Sequence, residues 1–303
     1  MGFDISPDIR GYFGQGTVAA VEAFQYRRGL DITGICTQLT WDTLVEACYK
    51  LGDRILYLAQ PLMKGDDVAE LQRRLSALGF DIGKVDGMFG KDTANGLAEF
   101  QSNVGLHADS ICGYRTLAEL DRVLFRHSGA ELVASVKDRE KLRNRPKTLA
   151  NTTVFIAESG GLDVLVSALK RGISDSSATV LQITHPSGSV QASSANAAGA
   201  DVCLALLLTA SPRDTVISYY AGHTYESPGG RRLAELSGQY LQDFLNTNDI
   251  TIKGMSVPIL RETKMPSILC QIGPPSYVVK FTSLFAAALA HALLDWAIRP
   301  VVD

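Results

Sequence analysis

The sequence predicts small all-α three-helix repeats followed by an α/β domain in which helices cover a sheet. Three observations lead to this prediction. The first half repeats itself, the second half alternates short apolar runs with helical stretches, and a charged segment lies between the two halves. A chain of 303 residues is long enough to bury two separate hydrophobic cores.

The repeat joins GYFGQGTVAAVEAFQ, which begins at Gly11, to GMFGKDTANGLAEFQ, which begins at Gly87. Each copy predicts a glycine turn, a threonine that caps a helix, and an amphipathic helix that ends in Phe-Gln. The matched pairs are Phe13 with Phe89, Gly14 with Gly90, Thr17 with Thr93, Phe24 with Phe100, Gln25 with Gln101, and Cys36 with Cys112.

The second copy has a further helix before its glycine turn. The segment DDVAELQRRLSALGF carries Val68, Leu71 and Leu75 on one helical face, which completes a three-helix unit. The first copy lacks this helix, because Gly2-Phe3 aligns with Gly79-Phe80, where the helix of the second copy has already ended. We therefore predict an incomplete repeat over residues 1–58 and a complete repeat over residues 59–126.

Residues Val68 to Gln101 follow the pattern V-x-x-L-Q-x-x-L-x-x-L-G-F, then D-G-x-F-G-x-x-T and F-Q, and so resemble the peptidoglycan-binding domain that accompanies cell-wall hydrolases. The resemblance implies a muropeptide or glycan ligand, with Asp86, Phe89 and Gln101 as candidate binding residues. In the first copy Arg10 replaces Asp86. The alternative is that these residues only build the core and turns of a helical unit without a ligand.

Residues 127–151 are predicted to be a linker, because the segment has mixed charges, no aromatic residue and a helix-breaking Pro146. From residue 152 to residue 300 the pattern predicts an α/β domain. Its predicted strands are TVFIA, ATVLQIT, DVCLALLLT, TVISYYAG and SILCQI, with helices near Leu162–Arg171, Gly230–Asn246 and Val279–Ile298.

Four segments of this domain resemble the zinc-dependent N-acetylmuramoyl-L-alanine amidases. The segments are TVFIAESGG, SANAAGADVCLALLLT, VISYYAG and PILRETKMPSILCQIG, and together they extend over nearly all of the domain. In that family two histidines and a glutamate hold zinc, a water occupies the fourth position, and a further glutamate takes the proton of the water.

The resemblance also indicates which residues stand at the family's functional positions. The segment Ala157–Gly161 contains no histidine, and Gly161–Ser177 contains no glutamate. The position of the second histidine is Leu207, and the position of the general base is Gln271. An alkyl side chain cannot bind zinc, and an amide cannot accept a proton at neutral pH. We therefore predict that the domain has no catalytic zinc and no other cofactor.

A relocated metal site is the competing hypothesis. His185, His223 and Glu158 each follow a predicted strand, and side chains at strand ends can meet at one edge of a sheet. The pair His223 and Glu226 adds a candidate chelate, although the nearby Pro228 favours a loop over a helix.

Composition excludes some partners and favours one compartment. A net charge of −3 gives no basic surface for nucleic acid. The apolar segment FTSLFAAALAHALLDWAI is interrupted by His291 and Asp295 and is shorter than the about 20 residues of a membrane span, which favours a core helix. Five cysteines without a CxxC motif and a start without a secretory signal favour a cytoplasmic location.

Together these features resemble the cytoplasmic pseudo-amidase regulators of actinobacterial cell-wall synthesis. The resemblance implies a non-catalytic protein that binds peptidoglycan or a muropeptide precursor, and possible contact with a protein of cell-wall synthesis. Two alternatives stay open. One is an active amidase with a relocated metal site, and the other is a peptidoglycan-binding module whose amidase half is only a scaffold.

Overall fold

A computed structural model of the chain describes residues 2–9, 11–124, 133–210, 215–222 and 225–301. The described residues form two compact units, and the chain passes from the first to the second between Lys137 and Asp138. The first unit is helical, whereas the second is a mixed sheet flanked by helices.

The first unit contains both repeats. Its helices are α1 (Gln15–Arg28), α2 (Gln38–Glu46), α3 (Asp66–Ala77), α4 (Lys91–Asn103) and α5 (Tyr114–Leu124). Helices α1 and α2 of repeat 1 correspond to α4 and α5 of repeat 2, and α3 precedes α4. On α3 the side chains of Val68, Leu71 and Leu75 are fully buried, because helical spacing places them on one face.

The predicted linker is partly structured. Helix α6 (Val133–Arg143) lies within it, and Leu142 and Leu149 belong to the hydrophobic core of the second unit. The Arg145 guanidinium also lies 5.2 Å from the ring centroid of Trp296. The mixed charges and Pro146 predict a linker. The two leucines nevertheless pack into the hydrophobic core of the second unit, so residues 138–151 belong to that unit. Residues 127–132 lie outside the described residues.

After α6, the described residues of the second unit form six strands and five α-helices, with a short 3-10 helix at Ser174–Ser176. The strands are β1 (Thr153–Glu158), β2 (Thr179–Thr184), β3 (Val202–Leu208), β4 (Thr215–Tyr220), β5 (Ile250–Met255) and β6 (Ser267–Ile272). The helices are α7 (Asp163–Gly172), α8 (Gly188–Ala197), α9 (Pro228–Leu245), α10 (Pro258–Arg261) and α11 (Pro275–Ile298). The sequence did not predict β5, α8 or α10.

The strand order is β2-β1-β3-β6-β4-β5. Neighbouring strands are parallel except β4 and β6, which are antiparallel. Alternate residues of β1, β3 and β6, among them Ile156, Leu204 and Cys270, share one core with helices α7, α9 and α11. Helices α8 and α10 contact each other and the strands but contribute nothing to that core. The central strands β1, β3 and β6 are therefore mostly buried on both faces, whereas the edge strand β2 is largely exposed.

Helix α11 is the central helix of this core. Within the described residues it alone has the length and hydropathy to cross a bilayer. Its large side chains Phe285, Leu289, Leu293 and Trp296 are nevertheless almost completely buried in the second unit. The prediction of a core helix is confirmed for these residues.

Candidate functional site

Leu207 and Gln271 lie side by side in the centre of the sheet. Strands β3 and β6 are parallel, and their register pairs Leu207 directly with Gln271. On the other side of Gln271, the antiparallel strand β4 contributes Val216. Paired residues of neighbouring strands point to the same face, so the Gln271 amide lies between two aliphatic side chains.

The Gln271 side chain has an unsatisfied acceptor. Its Oε1 atom is buried and accepts no hydrogen bond from the residues that the structure describes, which is rare for buried polar atoms in native proteins. The strand then ends at Gly273, where a Cβ atom would lie 2.6 Å from the Thr209 hydroxyl oxygen. Glycine therefore lets the ends of β3 and β6 approach closely.

Glu158 ends β1, but its carboxylate is occupied by local hydrogen bonds. It accepts the backbone N–H of Leu162 at 3.0 Å and the hydroxyl of Thr184 at 2.7 Å, and it is fully buried. Glu158 pairs with Leu206, the neighbour of Leu207 along β3, so Glu158 and Gln271 point to opposite faces of the sheet. In this arrangement Glu158 fixes the turn from β1 into α7.

His185 follows β2 and also stabilises a turn. Its Nδ1 atom accepts the backbone N–H of Ser187 at 3.0 Å, and its carbonyl oxygen accepts the Gln191 amide at 2.6 Å. His223, the third member of the proposed alternative metal site, lies outside the described residues. In the described part of the chain, no group of three or more His, Cys, Asp or Glu side chains is arranged to hold a metal ion.

The donor atoms at the two aligned positions do not fit a zinc ion. The Leu207 side chain has no lone pair, and the neutral amide of Gln271 is a weak ligand compared with imidazole or carboxylate. The amide also cannot act as a general base.

The three cysteines Cys112, Cys203 and Cys270 are buried packing residues. Burial raises the pKa of each thiol to about 12, so none is a thiolate near neutral pH. Cys270 belongs to the core on the face opposite Gln271, as its alternation along β6 predicts. Cys36 and Cys48 are exposed and free, which their apolar sequence surroundings did not indicate.

In the first unit, three glutamines make the same set of contacts, which we call the glutamine clamp. Gln101 illustrates it: its Nε2 donates to Asp109, to the Ile111 carbonyl and to the Thr116 hydroxyl, while its Oε1 accepts the Ser110 N–H. A glutamine on one helix thus holds the next turn and the following threonine.

Gln25 and Gln72 form the other two clamps. Gln25 binds the turn at Thr33–Ile35 and the Thr40 hydroxyl. Gln72 binds the turn at Asp86–Met88 and the Thr93 hydroxyl. The repeated Leu-Gln and Phe-Gln pairs were the sequence signal for these clamps, although their structural role was not predicted.

The candidate ligand residues of repeat 2 are engaged within the fold. Phe89 is completely buried, and the Gln101 amide is used by its clamp. Asp86 is half-buried and accepts from the Gln72 amide at 3.0 Å and from the Met88 N–H at 2.8 Å. Their assignment to ligand binding stays a prediction, and of the three only Asp86 has part of its surface exposed to solvent.

The sequence of the chain is similar to a known domain family and to known amidases. Residues 1–44 and 64–120 match the peptidoglycan binding domain. The chain is 34% identical over 285 residues to the N-acetylmuramoyl-L-alanine amidase CwlM of Mycobacterium tuberculosis, covering 84% of this chain and 70% of that protein. It is 34% identical over 134 residues to the amidase CwlL of Bacillus licheniformis, covering 38% of this chain and 37% of that protein.

A solved structure also aligns with part of the chain. The N-acetylmuramoyl-L-alanine amidase of Clostridium difficile 630 aligns with 48% of this chain and 96% of its own, at 20% identity and a TM-score of 0.42. The match to CwlM extends across both halves, and the peptidoglycan binding domain lies where the sequence predicts it. The chain therefore belongs to the N-acetylmuramoyl-L-alanine amidase family and carries an N-terminal peptidoglycan-binding domain.

Proposed function

We propose that this protein is a non-catalytic member of the amidase family that binds peptidoglycan or a muropeptide precursor in the cytoplasm and regulates cell-wall synthesis. One observation carries the proposal. At adjacent positions in the middle of the sheet, Leu207 and Gln271 stand where the family resemblance requires a metal ligand and a general base. Neither side chain has the chemistry that zinc-assisted hydrolysis needs.

The surroundings of Gln271 support this proposal. Val216 and Leu207 flank the amide, and its buried Oε1 has no donor. A carboxylate in this position would need a metal-bound water or a hydrogen-bond donor to balance its charge. The apolar flanks are compatible with an amide and unfavourable for a charged base.

Zinc stoichiometry is the decisive measurement. The full chain is incubated with excess zinc, freed of loosely bound metal and analysed for zinc per chain, with a catalytically active amidase of the family treated in parallel. We expect far less than one zinc per chain and no release of stem peptide from muropeptides. One tightly bound zinc together with hydrolysis would overturn the proposal.

The competing function is an active amidase with a relocated metal site, and the names of the relatives favour it. His185 and Glu158 follow neighbouring strands, and the His185 N–H donates to the Glu158 carbonyl at 2.9 Å. If zinc does bind, His185→Ala and His223→Ala should each remove it under this hypothesis. Retention of zinc by both variants would exclude it.

Binding to the wall polymer is tested separately. The full chain should co-sediment with purified peptidoglycan, and Asp86→Ala should weaken this binding if the partly exposed carboxylate contacts the ligand. Asp81→Ala, at an exposed position in the same loop, is the matched control. Failure of the wild-type chain to co-sediment would favour a muropeptide precursor as the ligand.

A further inference from the structure

An exposed apolar face lies where two extended segments of the first unit pair. The Leu56 N–H donates to the Cys112 carbonyl at 3.2 Å, and the Cys112 N–H donates to the Leu56 carbonyl at 2.8 Å, which forms an antiparallel bridge. Successive side chains of an extended segment point to opposite sides. Leu56 and Cys112 are 0% and 1% exposed, so the adjacent Ile55, Tyr57 and Ile111 point outward.

The register of the bridge brings the outward side chains together. Tyr57 is opposite Ile111, and Ile55 is opposite Gly113, which is followed by Tyr114 at the start of α5. Ile55 is 59% exposed, Tyr57 48%, Ile111 42% and Tyr114 78%. Exposed apolar side chains grouped in this way commonly mark a binding site. We call Ile55, Tyr57, Ile111 and Tyr114 the bridge face.

Both segments of the bridge face are held in place by polar contacts. The Ile111 carbonyl accepts from the Gln101 amide at 3.0 Å, and the Ile111 N–H donates to Asp109 at 2.9 Å. On the other segment, Arg54 precedes Ile55 and pairs with the buried Asp67 at 2.7 Å. The apolar side chains therefore project from a fixed backbone, and a ligand that binds there has little chain to order.

A basic side chain borders the bridge face. The Arg115 guanidinium lies 5.8 Å from the ring centroid of Tyr114, and its Nε donates to the Tyr114 hydroxyl at 3.1 Å. Arg115 is exposed, and a guanidinium can bind a carboxylate through two parallel hydrogen bonds. The nearby Asp109 carboxylate accepts from the Gln101 amide and the Ile111 N–H. The face thus combines apolar surface, two phenolic hydroxyls and a cation.

A muropeptide has the chemistry that matches this combination. The C–H groups of a sugar ring form an apolar side that packs on aromatic rings, while tyrosine hydroxyls can reach the polar groups at its edge. The stem peptide carries carboxylates, which are complementary to Arg115. Phe89 and Gln101 are buried and engaged within the fold, so other side chains of the first unit must contact the ligand.

We propose that the bridge face binds a muropeptide, with Tyr57 and Tyr114 packing on the sugar and Arg115 binding a carboxylate of the stem. This inference rests on the proposed function, from which the class of ligand is taken, and it is independent of whether the second unit binds zinc. Gln101 is a positioning residue in this site, because its amide holds the backbone of Ile111.

Isothermal titration calorimetry of the full chain with a soluble disaccharide-tripeptide muropeptide tests the site. We expect saturable binding that Tyr57→Ala and Tyr114→Ala each weaken about tenfold, because each variant removes an aromatic ring from the contact. Tyr26→Ala, at an exposed tyrosine on α1, is the matched control and should bind like the wild type. Circular dichroism first establishes that each variant keeps the wild-type helix content.

Two further probes separate the sugar from the stem peptide. The free tripeptide without the disaccharide should bind at least about tenfold more weakly than the muropeptide, because it lacks the ring that packs on the tyrosines. Arg115→Gln should weaken binding of the muropeptide but leave binding of its carboxyl-amidated form unchanged, because the amidated stem has no anion for the guanidinium.

Equal muropeptide binding by the wild type and both tyrosine variants would overturn this inference alone. The same holds for a wild type that co-sediments with peptidoglycan but does not bind the muropeptide. A wild type that binds neither would overturn the ligand of the proposed function as well. Self-association that Tyr57→Ala abolishes in sedimentation velocity would assign the face to a second copy of the chain and would also overturn the inference.

Discussion

At the scale of single residues, the proposed non-catalytic role rests mainly on Gln271. The side chain has the length of glutamate but neither its charge nor its basicity, and its neighbours Leu207 and Val216 are aliphatic. The unsatisfied Oε1 atom is an energetic cost that remains in the folded state. A polar residue kept at such a cost is a good target for mutation.

Under the proposed function Gln271→Glu should not create hydrolysis, because the paired Leu207 has no donor atom that could hold a metal beside the new carboxylate. It should lower the free energy of unfolding, since burial without a donor raises the pKa of the new carboxyl. The decrease in the free energy of unfolding should begin as pH rises above about 4.3, the pKa of a glutamate carboxyl in the unfolded chain. It should level off above the pKa of the same carboxyl in the folded protein. Urea denaturation across pH and a muropeptide assay test both statements.

Gln271→Met is the control, because it removes the unsatisfied acceptor at similar volume and should stabilise the protein by up to about 1 kcal/mol. Measurable muropeptide cleavage by Gln271→Glu would contradict the proposed non-catalytic role.

The cysteines give a second test at this scale. Iodoacetamide at pH 8 should modify Cys36 and Cys48 in the native protein and leave Cys112, Cys203 and Cys270 intact, because exposure and thiolate formation together control the reaction. Mass spectrometry counts the adducts, and the denatured chain should take up five. A third adduct on the native chain would show that one of the buried sites opens.

At the scale of elements, the glutamine clamps hold the helical repeats together. Each clamp joins a helix, a turn and the first residues of the next helix through donors and acceptors that are mostly buried. The clamp at Gln101 differs from the others in the turn residue, because Ser110 has φ 58° where Gly34 and Gly87 have φ 68° and 72°.

Ser110→Gly should stabilise the first unit by up to about 1 kcal/mol, because a side chain in the left-handed region is strained and glycine is not. The reverse change in repeat 1, Gly34→Ser, should destabilise it, since a Cβ atom there would lie 2.7 Å from the Val18 Cγ1 atom. The midpoints of urea denaturation measure the stability of both variants relative to the wild type. Equal midpoints for Ser110→Gly and wild type would mean that Ser110 is not strained.

Gln101→Met should lower the free energy of unfolding by about 1–3 kcal/mol, because it removes the Gln101 amide from the Ile111 carbonyl and the Ser110 N–H. Gln38→Met is the control: Gln38 is exposed and its amide donates to the exposed Asp42 one turn along the same helix, so the change should stay within about 0.5 kcal/mol. Thermal and urea unfolding compare the two variants. Similar decreases in unfolding free energy for both variants would argue against a stabilising role of the glutamine clamp.

At the scale of the whole molecule, the boundary between the units lies earlier than the sequence predicts. Leu142 and Leu149 are 6% and 1% exposed in the core of the second unit, and Arg145 lies 3.6 Å from Asp201. Residues that looked like a linker therefore help to stabilise the α/β fold.

A fragment of residues 138–303 should consequently be more stable than a fragment of residues 152–303. Burial of each leucine contributes about 1.5–3 kcal/mol, and the shorter fragment loses both. Trp296 is the only tryptophan in either fragment, and it is buried with its indole N–H donating to the Gly229 carbonyl at 2.9 Å. Its fluorescence therefore reports unfolding.

The double variant Leu142→Ala, Leu149→Ala in the longer fragment should lose a comparable part of this stability. Equal urea midpoints for the two fragments would contradict the assignment of residues 138–151 to the second unit.

The sequence by itself determined the repeat, the apolar central strands and the identities at positions 207 and 271. These features depend on local periodicity and on motif spacing, which can be read from the sequence, as in the helical spacing of Val68 and Leu71. Strand β5 was not predicted because Lys253 and Gly254 interrupt its apolar pattern. Helix α8 was not predicted because it consists mostly of small residues and has no apolar period.

Only the tertiary structure decided that Gln271 contacts Leu207, that Glu158 points to the other face of the sheet, and that Phe13 is exposed while Phe89 is buried. Each of these facts depends on strand register or on packing between segments far apart in the chain. Phe13 and Phe89 stand in the same local motif, so the difference in their exposure comes from packing and not from the motif.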